Sequence, residues 1–545
     1  MATDRADLVV SGAVVRTLDT ARPLAEAVAI ADERILAVGD EAELRGLVGP
    51  RTQVVDAAGG AVLPGFQDAH NHACFAGRYR LHCDLHDLST REEYLAAVAA
   101  YARANPETPW IFGGGWQLPA FPGGTPRKED LDAVVPDRPV YLMNCDLHGA
   151  WVNSRALELA GVDARTPDPP GGRIERDPST GEPTGSLHEW ARDLVSRLLP
   201  PTASETWEDA IQIAQRHLHS LGITAWMDAW VEPEVLAAYR TLAERGDLTG
   251  RVVAAQWWDR TQGLDQVDAM VERRSSAEIG RLRADRVKIM QDGVPENFSA
   301  ALVEPYLATP VDGRGFSYNE PAALGAAVER LDAEGFTVHV HAIGDRAIRE
   351  ALDAFEQARA ANGPRDARHQ ITHLQLLDLR DVPRLRDLDV VAVVQPYWAS
   401  ADEQMRELTI PFIGPERAAH QYAFRSLLDG GVRLASASDW AISTADPLKA
   451  IEVAARRVDP SERDAEPFLP EERIGLEEAL AAATLGSAYA LGHEDRTGSI
   501  EPGKLADLVV LDRDPLDPEL AGPADARVTM TIVGGEVVHE AGGTS

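Results

Sequence analysis

The stretch Ala61-Val-Leu-Pro-Gly-Phe-Gln-Asp-Ala-His70-Asn-His72 is an apolar run that ends in two histidines spaced i, i+2. Residues two apart in an extended strand project from the same face. Both imidazoles therefore point the same way where the strand leaves the core, as two ligands of one metal ion must. The pair alone is a weak signal, because two nearby histidines often share a polar loop. Four later segments strengthen it.

Beyond this run, β-rich segments alternate with helical patterns, which favours an α/β architecture. Most of the β-rich segments are followed by a Gly/Pro/Asp loop and then by a helix rich in Ala, Leu and Arg. Eight such segments have strand character: 61–66, 223–227, 251–258, 286–290, 337–341, 370–374, 390–395 and 433–438. Eight β-then-α units predict a (β/α)8 TIM barrel, whose chemistry lies at the carboxyl ends of the strands.

Both ends of the chain have a different texture, with short β segments separated by turns. We expect the two ends to pair into one small β-sandwich domain made of residues 1–60 and 497–545, with the metal-dependent barrel spanning 61–496. Between the first two barrel strands, about 75–205 is too long for one crossover helix. We predict that this insertion covers the barrel mouth, where long insertions commonly shape substrate selection.

Composition excludes several classes of protein. A net charge of -34 argues against nucleic acid or an anionic membrane as a partner. The simplest explanation of this charge is that it keeps the protein soluble. Three cysteines without a CxxC pair suit a reducing cytoplasm, and no signal peptide or membrane-spanning run is evident. We expect a cytoplasmic protein with a small-molecule substrate. The sequence leaves the oligomeric state open, a homodimer being one option.

Polar side chains recur where the predicted barrel strands end. Such residues are His70, His72, Lys288, Asp292, His339, His341, His373 and Asp439. Histidine and carboxylate are the expected ligands of a catalytic zinc-type ion, and a barrel gathers distant strand ends around one centre. Each residue has a simpler explanation: His373 as a core histidine, Asp439 as a helix cap, or His339 as a neighbour of His341. The coincidence of five strand ends favours a metal site.

Lysine is rare in this chain, since only four of its 53 basic residues are lysines. Lys288 differs from the other three because it lies inside an apolar strand-like segment. Desolvation depresses the pKa of a buried lysine, and the neutral amine can react with carbon dioxide to form an anionic bidentate carbamate that arginine cannot provide. The alternative is a lysine paired with Asp292.

The ordered set of motifs resembles the amidohydrolase superfamily over nearly the whole chain. The motifs are Pro64-Gly-Phe-Gln-Asp-Ala-His-Asn-His72, His341-Ala-Ile-Gly-Asp-Arg-Ala347, Ala437-Ser-Asp439 and Gly498-Ser-Ile-Glu-Pro-Gly-Lys-Leu-Ala-Asp507. The pattern is most similar to amidohydrolase family 3, the YtcJ-like hydrolases that include N-substituted formamide deformylases. Two positions depart from it: Thr372 stands where the family often has Glu, and Ala437 where it often has Gly. Both touch the surroundings of the ligands rather than the ligands themselves.

The resemblance implies a binuclear centre, with two zinc ions as the expected cofactors. It implies that His70 and His72 bind one ion, that His341 and His373 bind the other, and that Lys288 bridges them as an N-carboxylated lysine. Asp439 would complete the first site. The expected reaction is hydrolysis of an amide-like C–N bond, such as that of an N-formyl or N-acyl amine, by a metal-bound hydroxide. Asp439 would accept the proton of this nucleophile and deliver it to the leaving amine.

Two residues of the insertion, Trp116 and His148, are candidate substrate contacts, although either could equally be structural. One alternative function is a mononuclear deaminase or a cyclic amidohydrolase on the same scaffold. A deaminase usually has a catalytic Glu shortly after the strand-five histidine, whereas His341 is followed by Ala-Ile-Gly-Asp. A second alternative, from another class, is a non-catalytic metal-dependent regulatory protein, which the intact set of ligands disfavours.

Overall fold

The computed structural model describes residues 5–307 and 313–542, so the extreme ends of the predicted sandwich domain, 1–4 and 543–545, lie outside it. Its central element is a sheet of eight parallel strands, each paired with its neighbours in chain order. The strands are β1 (Phe66–Asn71), β2 (Ile223–Val231), β3 (Arg251–Trp257), β4 (Leu282–Met290), β5 (Thr337–Ala342), β6 (Gln370–His373), β7 (Val391–Val394) and β8 (Leu434–Ser436). The predicted (β/α)8 barrel is confirmed.

The barrel closes where β8 meets β1. The backbone N–H of Asp439 donates to the carbonyl oxygen of His70 at 2.9 Å. One residue earlier, the N–H and the hydroxyl of Ser438 both donate to the Asp68 carboxylate, at 3.0 and 2.5 Å. These bonds tie the last strand to the first at the carboxyl end of the barrel.

Helices follow the strands and cover the outside of the sheet. In the 18-residue helix Asp345–Asn362, buried residues recur at the i, i+3, i+4 spacing of an apolar stripe. The principal helices of the barrel are Ala73–Arg80, Ser204–Ser220, Pro233–Arg245, Val267–Ser276, Pro321–Ala333, Asp345–Asn362, Val382–Asp387, Phe424–Asp429, Pro447–Arg456, Leu476–Ala481 and Ser487–Leu491. Within the described ranges, none of the helices is both long enough and apolar enough to cross a membrane.

Strands from both termini form two further sheets that pack on a shared apolar core, as predicted for the small β-sandwich. In spatial order, one sheet contains Arg34–Gly39, Ala27–Ala31, Leu8–Ser11 and Gln53–Asp56. The other contains Glu536–Glu540, Val528–Val533, Leu508–Leu511, Ala61–Pro64, Val14–Arg16 and Leu24–Ala25.

This arrangement corrects the predicted first barrel strand. Ala61–Pro64 pairs antiparallel with Leu508–Leu511 in the sandwich, and the barrel strand begins only at Phe66. The apolar run is continuous through both strands, so its pattern alone could not separate them. Gly65 marks the change of sheet: its N–H donates to the Asp507 carbonyl, and a Cβ there would lie 2.3 Å from the Thr224 side chain.

The insertion after β1 has a sheet of its own. In spatial order its strands are Gly172–Arg176, Pro183–Glu189, Gly149–Val152, Val140–Asn144, Ile111–Trp116 and Cys83–Asp84. The helices Arg91–Ala104, Lys128–Val134 and Ser154–Ala160 pack beside it. Two apolar clusters fill this unit, so its shape is set by its own core as well as by the barrel.

Candidate metal centre

The six predicted metal ligands all line one cavity at the carboxyl end of the barrel. β1 supplies His70 and is followed by His72, and β4, β5 and β6 supply one ligand each. The sixth follows β8. All six side chains are buried: His70, His72, Lys288, His341, His373 and Asp439. The cavity encloses about 620 Å³ of space between atoms, part of which is open to solvent.

The shortest approaches in the cluster centre on Asp439. Its Oδ1 lies 3.1 Å from Nε2 of His72 and 3.3 Å from Nε2 of His70. Its Oδ2 lies 3.8 Å from Nδ1 of His373. His70, His373 and Asp439 offer donor atoms that all lie within 4.8 Å of one another. Oδ1 of Asp439 is buried, yet it makes no hydrogen bond to any residue within 5–307 and 313–542. An orphaned carboxylate oxygen among histidine nitrogens fits a bound cation.

A chain of three hydrogen bonds sets the tautomer of His70. The Gln370 Nε2 donates to the Ala490 carbonyl at 2.7 Å, so its Oε1 accepts from Nδ1 of His339, also at 2.7 Å. Nε2 of His339 is then an acceptor and lies 2.7 Å from Nδ1 of His70. His70 must carry its proton on Nδ1, which leaves the Nε2 lone pair facing the cavity. His339 thus orients a ligand, as outer partners of metal sites do.

The same logic applies to the two histidines of β5 and β6. Nδ1 of His341 lies 3.1 Å from the Asp292 carboxylate. Nδ1 of His373 lies 3.0 Å from Oε1 of Gln395, whose Nε2 donates to the Thr372 hydroxyl at 3.2 Å. Each imidazole therefore keeps Nε2 free. Thr372, one of the two departures from the family pattern, serves here by orienting Gln395.

Burial lowers the pKa of His70, His341 and His373 well below its usual value. These imidazoles are therefore neutral at physiological pH, and the neutral form is the one that binds metal.

Lys288 lies at the middle of the cluster. Its Nζ is 3.5 Å from Nε2 of His70, and the side chain is 1% exposed. Burial lowers its pKa to about 7, although Asp439 favours the charged form. The alternative pairing of Lys288 with Asp292 is wrong. The Asp292 carboxylate instead accepts from His341 and from the backbone N–H groups of Ala301, Ile343 and Gly344.

Two ligand positions have unusual backbone geometry. His373 has a φ of 79° and Asp439 a φ of 54°, in a region that L residues rarely adopt. Such conformations cost free energy and persist where the surrounding structure imposes them, often at functional sites.

Burial raises the pKa of Asp439, but His72, His373 and Lys288 outweigh it, so the net pKa is lowered and the carboxylate is ionised.

His148 of the insertion, a predicted substrate contact, lines one side of the cavity. Its ring centroid lies 5.4 Å from that of His341, and its Nδ1 lies 2.8 Å from the Glu189 carboxylate. Burial opposes the charged form of His148, but Glu189 outweighs burial and raises the pKa. Burial likewise raises the pKa of Glu189, while His148 and Ser299 lower it to about 2. The pair therefore favours an imidazolium beside an ionised carboxylate.

Trp116, the other predicted substrate contact, requires a correction. Its side chain lies in the core of the insertion, where it packs edge-on against Phe121 and Trp151. Its indole N–H donates to the Leu142 carbonyl at 3.0 Å. The aromatic residue is needed to fill this core, and the cavity wall is built from other tryptophans.

Sequence reasoning missed several residues of the cavity. Glu189 holds His148 and has a φ of 53°, although nothing in its local sequence sets it apart. Trp230 and Trp257 stack with their ring centroids 4.2 Å apart and lie at the carboxyl ends of β2 and β3, so their position at strand ends could have marked them. Trp398 stacks on His373 with an interplanar angle of 4°.

Comparison with known proteins agrees with this geometry. A family model described as the amidohydrolase family matches residues 53–539. The N-substituted formamide deformylase of Arthrobacter pascens is 31% identical, over 99% of this chain and 100% of the relative. The putative amidohydrolase YtcJ of Bacillus subtilis (strain 168) is 31% identical, over 94% and 96%. The Arabidopsis thaliana protein LONG AFTER FAR-RED 3 is 34% identical, over 98% and 92%.

Among solved structures, an uncharacterized metal-dependent hydrolase from Pyrococcus furiosus matches with a TM-score of 0.70 and 29% identity. The match covers 94% of this chain and 100% of that one. With the family model spanning most of the chain, and with a ligand set that fits a cation at the barrel mouth, the chain belongs to the amidohydrolase family and is a metal-dependent hydrolase.

Proposed function

We propose that this protein hydrolyses the C–N bond of an N-formyl or N-acyl amine. The observation that carries the proposal is the convergence of histidine Nε2 atoms and the unpaired Asp439 Oδ1 on one buried cavity. The Arthrobacter pascens relative is named an N-substituted formamide deformylase, which is consistent with this reaction class.

The ligand set divides into two groups that would hold two divalent ions, which we propose to be zinc. His70, His72 and Asp439 would hold one ion, and His341 and His373 the other, with N-carboxylated Lys288 between them. When bound, the ions supply positive charge that acidifies water and polarises a carbonyl group. The depressed pKa of Lys288 supports its modification, because about half of its amine is neutral near pH 7.

Asp439 is the group best placed to move the proton of the reaction. Its ionised carboxylate can accept a proton from the attacking water and return it to the nitrogen of the leaving amine. His72, which lies 3.1 Å from Oδ1, helps to hold the carboxylate in place. One carboxylate thus serves as base in the first half of the reaction and as acid in the second.

His148 would bind the substrate from the opposite wall. Because Glu189 raises its pKa and favours the protonated ring, His148 can donate a hydrogen bond to the carbonyl oxygen, on which negative charge develops as the C–N bond is attacked. The stacked Trp230 and Trp257 would bury the apolar part of the substrate.

The test is to measure metal content and amine release with the same preparation. We expect about two transition-metal ions per chain and release of a primary amine from a panel of N-formyl and N-acyl amines. The matched control is D439N, which keeps the size of the side chain and removes the proton acceptor. Ammonia release from a ring substrate would instead indicate a deaminase. Tight binding without turnover would indicate a regulatory protein.

A further inference from the structure

A second cavity adjoins the proposed active site, and we name it the outer cavity. It shares Leu147, Trp190, Arg192, Trp230 and Trp257 with the metal cavity, so the two spaces meet along one wall. The outer cavity encloses about 2270 Å³, open solvent included, against about 620 Å³ for the space at the ligands. A long substituent of a substrate whose reactive bond lies at the metal centre would extend past these residues into the outer cavity.

Four arginines line the outer cavity, and Arg78 is the one whose guanidinium makes neither a hydrogen bond nor a salt bridge to any residue within 5–307 and 313–542. Arg78 lies 4.1 Å from the centroid of Phe112 and 4.9 Å from that of Trp207. Its Nε is buried and without a hydrogen bond. Burial lowers the Arg78 pKa, and among the carboxylates Glu232 opposes this effect through space without forming a salt bridge. Burial without a partner is costly for a charge, and a bound anion would offset that cost.

The surroundings of Arg78 match an aromatic or apolar arm that ends in an anion. Tyr79 and Tyr141 flank Phe112 in parallel stacks, with centroid distances of 5.9 and 6.4 Å. Arg192 lies over Trp230 at 5.3 Å and adds a second positive charge near the shared wall. Flat rings of this kind bury an apolar group, while guanidinium groups bind a carboxylate in bidentate geometry.

Four acidic residues line the outer cavity: Asp193, Glu232, Glu234 and Asp259. Asp193 lies 3.9 Å from Arg192. Glu232 accepts from the indole N–H of Trp230 at 3.2 Å, and Asp259 accepts from Thr261 and Gln262 in its own loop. None of the four forms a salt bridge with Arg78, so its guanidinium is open to a carboxylate ligand.

We propose that the outer cavity binds a carboxylate carried on the amine substituent of the substrate, with Arg78 as the residue that recognises it. The substrate class is then an N-formyl or N-acyl arylalkyl amine with a carboxylate at the far end of its arm. The identity of the reactive bond rests on the function proposed above, whereas the carboxylate subsite rests on the outer cavity alone.

A binding measurement tests the subsite without any turnover. Metal-replete protein is titrated calorimetrically with 4-methylbenzoate and with its neutral analogue 4-methylbenzamide. We expect the benzoate to bind at least about tenfold more tightly, and R78M to reduce this preference to within about twofold. A carboxylate held by the metal ions alone would be insensitive to R78M, so equal preferences in wild type and R78M would overturn the proposal.

Two further variants keep the result interpretable. R80M, on the same helix but with an exposed side chain, should retain the preference of the wild-type protein. R78K keeps the charge and loses the bidentate geometry, so an intermediate preference is expected, and it carries the test if R78M does not fold. An R78K variant with a wild-type preference would contradict recognition by the guanidinium.

A kinetic comparison separates this proposal from the proposed reaction. N-benzylformamide and 4-(formamidomethyl)benzoate differ only in the carboxylate. If Arg78-dependent binding of 4-methylbenzoate is found but neither formamide is hydrolysed, the subsite stands and the reaction class is wrong. If both are hydrolysed with equal kcat/KM, the reaction class stands and the carboxylate subsite is refuted.

Discussion

Nε2 of His339 accepts a hydrogen bond from Nδ1–H of His70 at 2.7 Å, so a residue outside the proposed ligand set determines which nitrogen of His70 faces the cavity. The relay begins at the backbone carbonyl of Ala490, outside the cavity wall. The orientation of His70, a proposed metal ligand, therefore depends on the helix Ser487–Leu491, which contains Ala490.

Replacing His339 should weaken metal binding without removing a ligand. In H339A, His70 can rotate and adopt either tautomer, and we expect metal affinity to fall by about 10- to 100-fold, measured by competition with a chelator. H369A is the matched control, since His369 is also a buried histidine, immediately before β6, but bonds to Asp332. Equal metal affinity in wild type and H339A would show that the relay has no role in orientation.

Lys288 should take up carbon dioxide in a pH-dependent way. Its pKa is lowered to about 7, so the neutral amine grows as pH rises through that value. At constant dissolved CO2, metal-free protein to which metal ions are added back should recover activity about tenfold faster at about pH 8 than at about pH 6. K288R retains a positive charge but cannot form the carbamate, and it should bind fewer ions. Recovery that is independent of CO2 would contradict the carbamate.

Removing the carboxylate of Asp439 should affect turnover more than substrate binding. For D439N we expect kcat to fall by about 10²- to 10⁴-fold with a small change in KM, because general acid–base transfer is lost. Metal content must be measured alongside, since Asp439 is also a proposed ligand. A variant that keeps both its metal and its full kcat would exclude Asp439 as the proton acceptor.

The pair of Glu189 and His148 should set the alkaline limit of activity. Glu189 raises the pKa of His148, so the protonated form that donates to the substrate persists to higher pH and is lost as pH rises through that pKa. In E189Q the His148 pKa should fall, and the alkaline limb of the kcat/KM profile should move to lower pH by about one unit or more. An unmoved limb would show that another group titrates there.

Trp116 should matter for stability and not for specificity. W116F removes the hydrogen bond to Leu142 and leaves a small cavity, which should lower the free energy of unfolding by about 1–3 kcal/mol in chemical denaturation. Because the indole lies in the core of the insertion, we expect KM to change by less than about twofold. A large change in KM in a fully folded W116F would restore Trp116 as a substrate contact.

Much of the site could be predicted because its residues lie at strand ends, where an apolar run followed by a polar residue is visible in sequence. His70, His341 and Asp439 were all found in this way. The pattern of apolar residues does not show which strands pair. The run 61–66 is apolar throughout, and only the neighbouring strands decide that Ala61–Pro64 joins the sandwich. Nor does sequence encode the hydrogen bond between Glu189 and His148, which joins two strands of the insertion 41 positions apart.

The backbone hydrogen bond from Asp439 to His70 has a consequence for biosynthesis. The residues of the proposed first ion site come from the first and the last strand of the barrel, and they meet only when the barrel is closed. A nascent chain that has passed its first two histidines still lacks the carboxylate and the seam that aligns them. Metal ions would therefore bind at this site only after translation is nearly finished. Chain fragments released early from the ribosome would lack the complete site and could not bind the ions there.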